Sequence, residues 1–419
     1  MTAMQTSRQQ AGGSYRSLDR RVHVLFAARI INRFGDFVQM LLVLILTVSI
    51  GFDEHLAGLF TTLTVFAGMG GQLIGGFVAD RYPRIYVMVF CQLSVAVFYI
   101  ASAILIESTP LVVAYLILFS APFRGATWPV SHALVADFTQ GEMERARAFS
   151  LLYLGSNIGV AVGPLVAAFL FSRNLTLLFM LSSFTLIISA ALLGFMIPRT
   201  AQSTHLGSSD NVLYTGSLWR LFFSNRMLLL YMFAFTLYNL IYVQHSFALP
   251  LQLHALFGPT AGTDGYGWIM TVNAATVLVM TALVTRITLY SSRSMNMAFG
   301  CMFYVVGFGI YAYCSSFPLF LIATFIWTIG EILLATNGNV FVNQHAPVSH
   351  RARFNSIISV TTGIGSSLGP YIGGLILSFA SFRAIWLGSV AVAIVVGLLF
   401  MQLRIVVVRS QHEKPFEEG

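Results

Sequence analysis

Apolar runs close to 20 residues long recur from one end of the chain to the other, parted by short polar turns. Each is long enough to cross ~30 Å of hydrocarbon as a helix. Twelve can be placed, at roughly 22–50, 56–79, 85–106, 110–136, 147–171, 175–197, 227–253, 265–286, 294–314, 317–343, 353–379 and 383–408. Composition agrees: 57% of residues are hydrophobic and 9% charged, where a soluble domain carries about 25% charged residues. Mean hydropathy is +0.79. A soluble globular fold is excluded, and an all-α protein of twelve transmembrane helices is expected.

The net charge of +8 would suggest a nucleic-acid partner until the residues are placed. Of the 23 Lys and Arg residues, eighteen fall on one side of the span scheme and only Arg173 and Arg383 on the other. By the positive-inside rule both termini are cytoplasmic, in a cell membrane, and no nucleic acid is expected. The basic N-terminal tail leads straight into the first span, with no cleaved signal peptide. Cys91, Cys301 and Cys314 all sit within apolar runs without metal-ligand spacing, and read as small packing residues.

Residues 145–170 and 351–376 repeat each other at an offset of 206, with 8 identities in 26 positions. The matches include Arg145/Arg351, Gly159/Gly365, Gly163/Gly369 and Pro164/Pro370. A repeat of half the chain implies duplication, one of the known transporter plans. The expected parts are an N-terminal half (1–197), a cytoplasmic linker (198–226) and a C-terminal half (227–419), each half a six-helix bundle. The linker is either a tether or, at Trp219, Leu221, Phe222 and Phe223, a short helix lying on the membrane surface. The paired glycines let helix backbones approach closely, and Pro164 and Pro370 can kink their helices. Plain packing and a hinge role both fit.

The loop Gly76-Phe77-Val78-Ala79-Asp80-Arg81-Tyr82-Pro83-Arg84 resembles the signature loop of the major facilitator superfamily, with Pro83 where that family usually has glycine. Gly159 to Pro164 resembles the family's antiporter motif, with Ala167 and Ala168 in place of its last two glycines. Arg124-Gly125 is similar to the arginine motif of its fourth span. Thr328-Ile329-Gly330-Glu331 resembles the embedded glutamate segment of bacterial drug–proton antiporters. The resemblance implies two pseudosymmetric bundles around a central cavity, and a gating role for Gly76, Asp80, Arg81 and Arg84. Asp80 would face the N-terminal end of span 11, where the helix dipole, Arg351 and Arg353 favour a negative charge. The rival reading is a solvated loop.

Five charges lie inside spans: Arg29, Arg33, Asp36, Arg124 and Glu331. A charge at mid-bilayer costs ~2.5–3.5 kcal/mol or more, so such residues face cavities or pair with one another. Arg33 and Asp36 share a helix face, with Arg29 a turn earlier. In the family, spans 1, 4, 7 and 10 line the pathway, so the resemblance implies that Arg124 and Glu331 look into one cavity from opposite walls. Arg33, Trp128, Tyr238, Asn239, Tyr242, Gln244, His245 and Asn273 join that wall, with Asn337 and Asn339 as further candidates. A lone histidine in a span also reads as a hydrogen-bonded structural group. Burial disfavours an ionised carboxylate and an approaching cation favours it, so Glu331 is the expected proton carrier, with Asp36 as the alternative or partner.

No metal-ligand cluster, phosphate-binding loop or nucleophile–base pair stands out, so neither a cofactor nor a metal nor an enzymatic reaction is expected. The expected function is a monomeric, proton-coupled antiporter exporting amphipathic or hydrophobic small molecules, as in multidrug efflux. Proton-coupled uptake of a small polar solute, or a transport-dead scaffold or sensor, are the alternatives.

Overall fold

The computed structural model describes residues 15–197, 226–345 and 351–412, without the side chains of residues 16, 142, 339, 343, 351–360 and 408–412. The expected linker lies outside the described residues except at Arg226, as do the side chains of Arg351, Arg353 and Asn339. Among the described residues there is no strand, and helices stand where the twelve spans were expected. The helices are α1 (Arg20–Phe34), α2 (Glu54–Arg81), α3 (Arg84–Leu105), α4 (Pro110–Asp137), α5 (Glu142–Arg173) and α6 (Leu175–Met196). They continue with α7 (Arg226–Tyr242), α8 (Pro259–Ile287), α9 (Arg293–Tyr313), α10 (Phe317–His345), α11 (Arg351–Leu377) and α12 (Phe382–His412). Ten helical stretches among the described residues are long and apolar enough to cross a membrane, α7 and its continuation counting as one. The first expected span and α11 are not among those ten.

The first span is not the continuous helix its hydropathy suggests. Asp19 caps α1 by accepting from the Arg21 backbone N–H at 2.7 Å. The Arg21 guanidinium also bonds the Asp19 carboxyl and holds it below the usual carboxylate range. The helix stops at Gly35, where a Cβ would lie 1.8 Å from Thr185 Oγ1 of α6. Short helical pieces Phe37–Met40 and Leu42–Leu44 and a π-turn Ile45–Ser49 complete the crossing. The seventh span breaks likewise: α7 ends at Tyr242 and resumes at Gln244–Phe257, closed by Gly258 at φ 82. The repeat offset of 206 carries Asp36 onto Tyr242, so both halves break their first helix at the equivalent place.

The helices form two compact units that do not follow the two halves of the sequence. Among the described residues, one unit comprises 15–39, 67–163 and 174–197; the other comprises 40–66, 164–173, 226–345 and 351–412. In the first, small residues bring α2 and α4 together: a Cβ at Gly71 would lie 1.9 Å from the Pro122 carbonyl oxygen. Val22, Leu25, Met88, Val130, Leu134, Leu151 and Leu193 fill its core. The second is built on fully buried aromatic rings, among them Tyr304, Phe308, Tyr311, Trp327 and Trp386. There the Trp386 indole donates to Gln252 Oε1 at 2.6 Å, and the Gln252 amide donates to the Tyr311 carbonyl at 3.1 Å.

The repeat is visible as packing within each unit. A Cβ at Gly159 would sit 2.8 Å from the Ile30 carbonyl oxygen of α1, and one at Gly365 2.2 Å from that of Thr236 of α7. Ile30 and Thr236 are themselves 206 apart. Each half therefore seats its fifth helix on its first through the same glycine.

Candidate functional site

In the second unit, the break between Tyr242 and Gln244 turns the end of α7 toward α10. The Tyr242 hydroxyl donates to Glu331 Oε1 at 2.8 Å. From α8, the Asn273 amide donates to Glu331 Oε2 at 2.8 Å and to Thr328 Oγ1 at 2.9 Å. The Thr328 hydroxyl in turn donates to the Thr324 carbonyl at 2.7 Å. Glu331 is half-buried, and among the described residues no cationic side chain pairs with it. Both carboxylate oxygens thus rest on neutral donors from two other helices.

Rings enclose this carboxylate. Tyr242 lies 4.6 Å from His245 and 5.7 Å from Tyr238, centroid to centroid, and Trp327 lies 5.5 Å from His245. The Tyr238 and Tyr304 hydroxyls share a hydrogen bond of 2.9 Å, and the Trp327 indole donates to the Tyr311 hydroxyl at 2.9 Å. His245 donates from Nδ1 to the Tyr242 carbonyl at 2.6 Å, which fixes that tautomer at the helix break. A carboxylate so placed can take up a proton or a cation without displacing a resident positive charge. Discontinuous helices of this kind line ion and substrate sites in transporters.

In the first unit, the break after Gly35 presents Asp36 to two arginines. Arg33 lies 3.4 Å and Arg124 3.9 Å from Asp36 Oδ2. Arg29 donates from Nε to Ser156 Oγ of α5 at 2.8 Å. Trp128 is 45% exposed and lies tilted against His132 at 3.9 Å between ring centroids. The expected wall residues therefore fall into separate groups. Tyr238, Tyr242, His245 and Asn273 gather about Glu331, whereas Arg33, Asp36, Arg124 and Trp128 belong to the other unit. Asn239 and Gln244 are turned to α11: Gln244 donates to the Gly369 carbonyl at 2.8 Å, and the Asn239 Cβ abuts Gly365. Asn337 bonds Asn296 at 3.0 Å and Arg293 at 3.4 Å, on the side of α9.

Of the signature-loop residues, Asp80 has its side chain 76% exposed, with Arg84 at 3.8 Å, and Arg81 leans over the Phe77 ring. Arg84 also pairs with Asp137 at the end of α4, tying α3 to α4. Gly76 has open space around it. Gly163 is buried, Pro164 backs onto Gly267 of α8, Gly369 onto Val243, and Pro370 onto Gly58 of α2. Sequence reasoning passed over Asp137, Ser156, His132, Tyr304 and Asp264. The last bonds Ser172 at 3.3 Å and pairs with Arg173 at 3.7 Å. An acid ending a span opposite a basic loop was the available signal for Asp137. The aromatic and hydroxyl residues gave none.

The family model of the Major Facilitator Superfamily matches residues 25–263 and 246–419. The chain is 23% identical over 347 residues to a Na(+), Li(+), K(+)/H(+) antiporter of Planococcus maritimus, covering 76% of this chain and 81% of that protein. It is 24% identical over 404 residues to the uncharacterized MFS-type transporter YqjV of Bacillus subtilis (strain 168), covering 89% and 92%. Among solved structures it resembles the nucleoside transporter NupG, with a TM-score of 0.76 at 15% identity over 92% of this chain and 99% of that one. It likewise resembles a peptide transporter, POT, in complex with sulfate, with a TM-score of 0.74 at 16% identity over 93% and 95%. At these identities the solved structures speak for the fold alone. The chain belongs to the Major Facilitator Superfamily and is a multi-pass membrane transporter of small molecules rather than an enzyme.

Proposed function

We propose that this transporter is a secondary active, proton-coupled exporter of amphipathic or hydrophobic small molecules, working by alternating access with both termini in the cytoplasm. The observation that carries the reading is the carboxylate of Glu331, held inside an apolar helix by two neutral donors. Protonating it strands no cation. Protonating Asp36 would leave Arg33 and Arg124 without their carboxylate, which makes Asp36 the weaker carrier. The antiporter-like run Gly159 to Pro164 and the proton antiport named for the Planococcus relative support exchange over symport.

The test is reconstitution into proteoliposomes with an imposed pH gradient and a lipophilic fluorescent substrate. Substrate movement against its own gradient, abolished by a protonophore, is the expected result. A rate indifferent to the pH gradient would overturn the reading. A second reading, exchange of a monovalent cation for protons, draws on the same relative and on the hard oxygen atoms of Glu331 and Thr328 gathered at Asn273. Proton release driven by sodium or potassium alone, with no organic substrate, would favour it.

A further inference from the structure

The first unit carries three arginines within its spans, and Asp36 is the one carboxylate among the described residues that meets any of them. Asp36 is shared between Arg33 and Arg124. Arg29 has only the Ser156 hydroxyl, taken by its Nε, and no carboxylate in ion-pair range among the described residues. A guanidinium presents five N–H donors, so the terminal nitrogens of Arg29 remain for something else. Uncompensated positive charge at this depth is costly, and the chain has not moved it to the surface. Arg29 is tied to α5 through Ser156, and Gly159 lets α5 close on α1 where the Arg33 Cβ would lie 2.7 Å from an added Cβ.

Beside the arginines stands a stack of rings. Trp128, one turn after Arg124 on α4, lies tilted against His132 at 3.9 Å, and His132 against Phe149 at 4.9 Å. Fixed guanidiniums in excess over carboxylates, next to an aromatic face with one open end, match one kind of ligand. It has an apolar or aromatic body and a carboxylate, sulfonate or phosphate group.

We propose that Arg29, Arg33 and Arg124, with the face of Trp128 on His132, bind the anionic group of an amphipathic substrate. The inference rests on the export of amphipathic molecules proposed above and narrows it to anions. Neutralising the arginine excess is what the ligand's charge does, through bidentate guanidinium bonds, while its apolar body lies on Trp128. The phosphate of an anionic lipid shares this chemistry and could supply the same group.

The experiment measures binding of naphthalenesulfonate and of naphthyltrimethylammonium to the purified full-length protein in phosphatidylcholine nanodiscs. The sulfonate is expected to bind and the ammonium to bind much more weakly. Arg29→Gln and Arg124→Gln should each weaken the sulfonate by roughly tenfold or more, the loss of charge-assisted hydrogen bonds. Arg29→Lys, which keeps the charge, should recover part of it and guards against a variant that does not fold. Loss of sulfonate binding when phosphatidylglycerol is added to the nanodiscs would assign the anionic site to a lipid headgroup. Its persistence would assign the site to substrate. Equal binding of the two probes, or sulfonate affinity unchanged in folded Arg29→Gln and Arg124→Gln, would overturn the proposal. Binding is measured without a pH gradient, so a failure of proton coupling and a failure of the anion site are read separately.

Discussion

The hydroxyl of Tyr242 reaches across 89 residues of sequence to donate to Glu331 at 2.8 Å, from the point where the seventh span breaks. Removing that hydroxyl with Tyr242→Phe keeps the ring and deletes one of the two donors that hold the carboxylate. A hydrogen bond to a charged group is worth about 1.5–3 kcal/mol, so the expected outcome is a folded protein whose pH-driven transport falls about tenfold. Asn273→Leu should do more, since that amide joins α8 to both Glu331 and Thr328. Initial rates in proteoliposomes check both, and wild-type rates in both variants would show that the donors are incidental.

Glycines that the family motifs single out are not equivalent in the structure. Gly365→Val places side-chain atoms against the Thr236 carbonyl, where even a Cβ would stand at 2.2 Å. Overpacking of this kind costs typically ~1–3 kcal/mol. Gly76→Ala meets nothing within 4 Å and should be neutral or mildly stabilising, by up to ~1 kcal/mol, as for alanine over glycine in a helix. Thermal unfolding in detergent distinguishes them. Comparable losses in both would contradict the seating of α11 on α7.

What the sequence made legible and what it did not follow from physics. Hydrophobic length alone locates a helix in a bilayer, and the 206-residue repeat located the shared glycine of α5 and α11. Glu331 stood out because an acid in an apolar run is costly. Its partners did not stand out as a set. Tyr242 and Asn273 were named among a broader wall that also held Gln244 and Asn239, which the helix rotation turns toward α11 instead. Tyr304, Tyr311 and Trp327 look like ordinary apolar filling until their hydroxyl and indole bonds are seen. The breaks at Gly35 and Val243 escape hydropathy because the polar residues beside them, Arg33 and Asp36 at the first and Gln244 and His245 at the second, are averaged into long apolar runs.

The inner loop offers a graded comparison. Asp80 is exposed and its contact with Arg84 is long, so Asp80→Asn should change stability by less than ~1 kcal/mol yet slow transport if the loop gates. Arg84 holds Asp137 and the Ala133 carbonyl as well as Asp80, and Arg84→Gln should lower the unfolding temperature measurably more. Equal stability of the two variants would deny Arg84 its role between α3 and α4. Wild-type turnover in Asp80→Asn would make the loop a mere connection.

Orientation is tested by single cysteines in whole cells. All three native cysteines are buried, so background labelling should be low. A cysteine at Asn174, between α5 and α6, should react with a membrane-impermeant maleimide from outside. One at Tyr82, between α2 and α3, should react only after permeabilisation. The reverse pattern would overturn the orientation derived from the distribution of arginines.

Proton coupling through Glu331 is tested most directly by Glu331→Gln, which keeps the shape and removes the titrating group. In proteoliposomes carrying this variant, substrate counterflow without a pH gradient should persist, since the amide keeps the side chain's shape and one acceptor oxygen for Tyr242 or Asn273. Accumulation driven by an imposed pH gradient should fall to the level of empty liposomes. Gradient-driven accumulation at the wild-type rate would contradict the account and transfer the coupling role to Asp36.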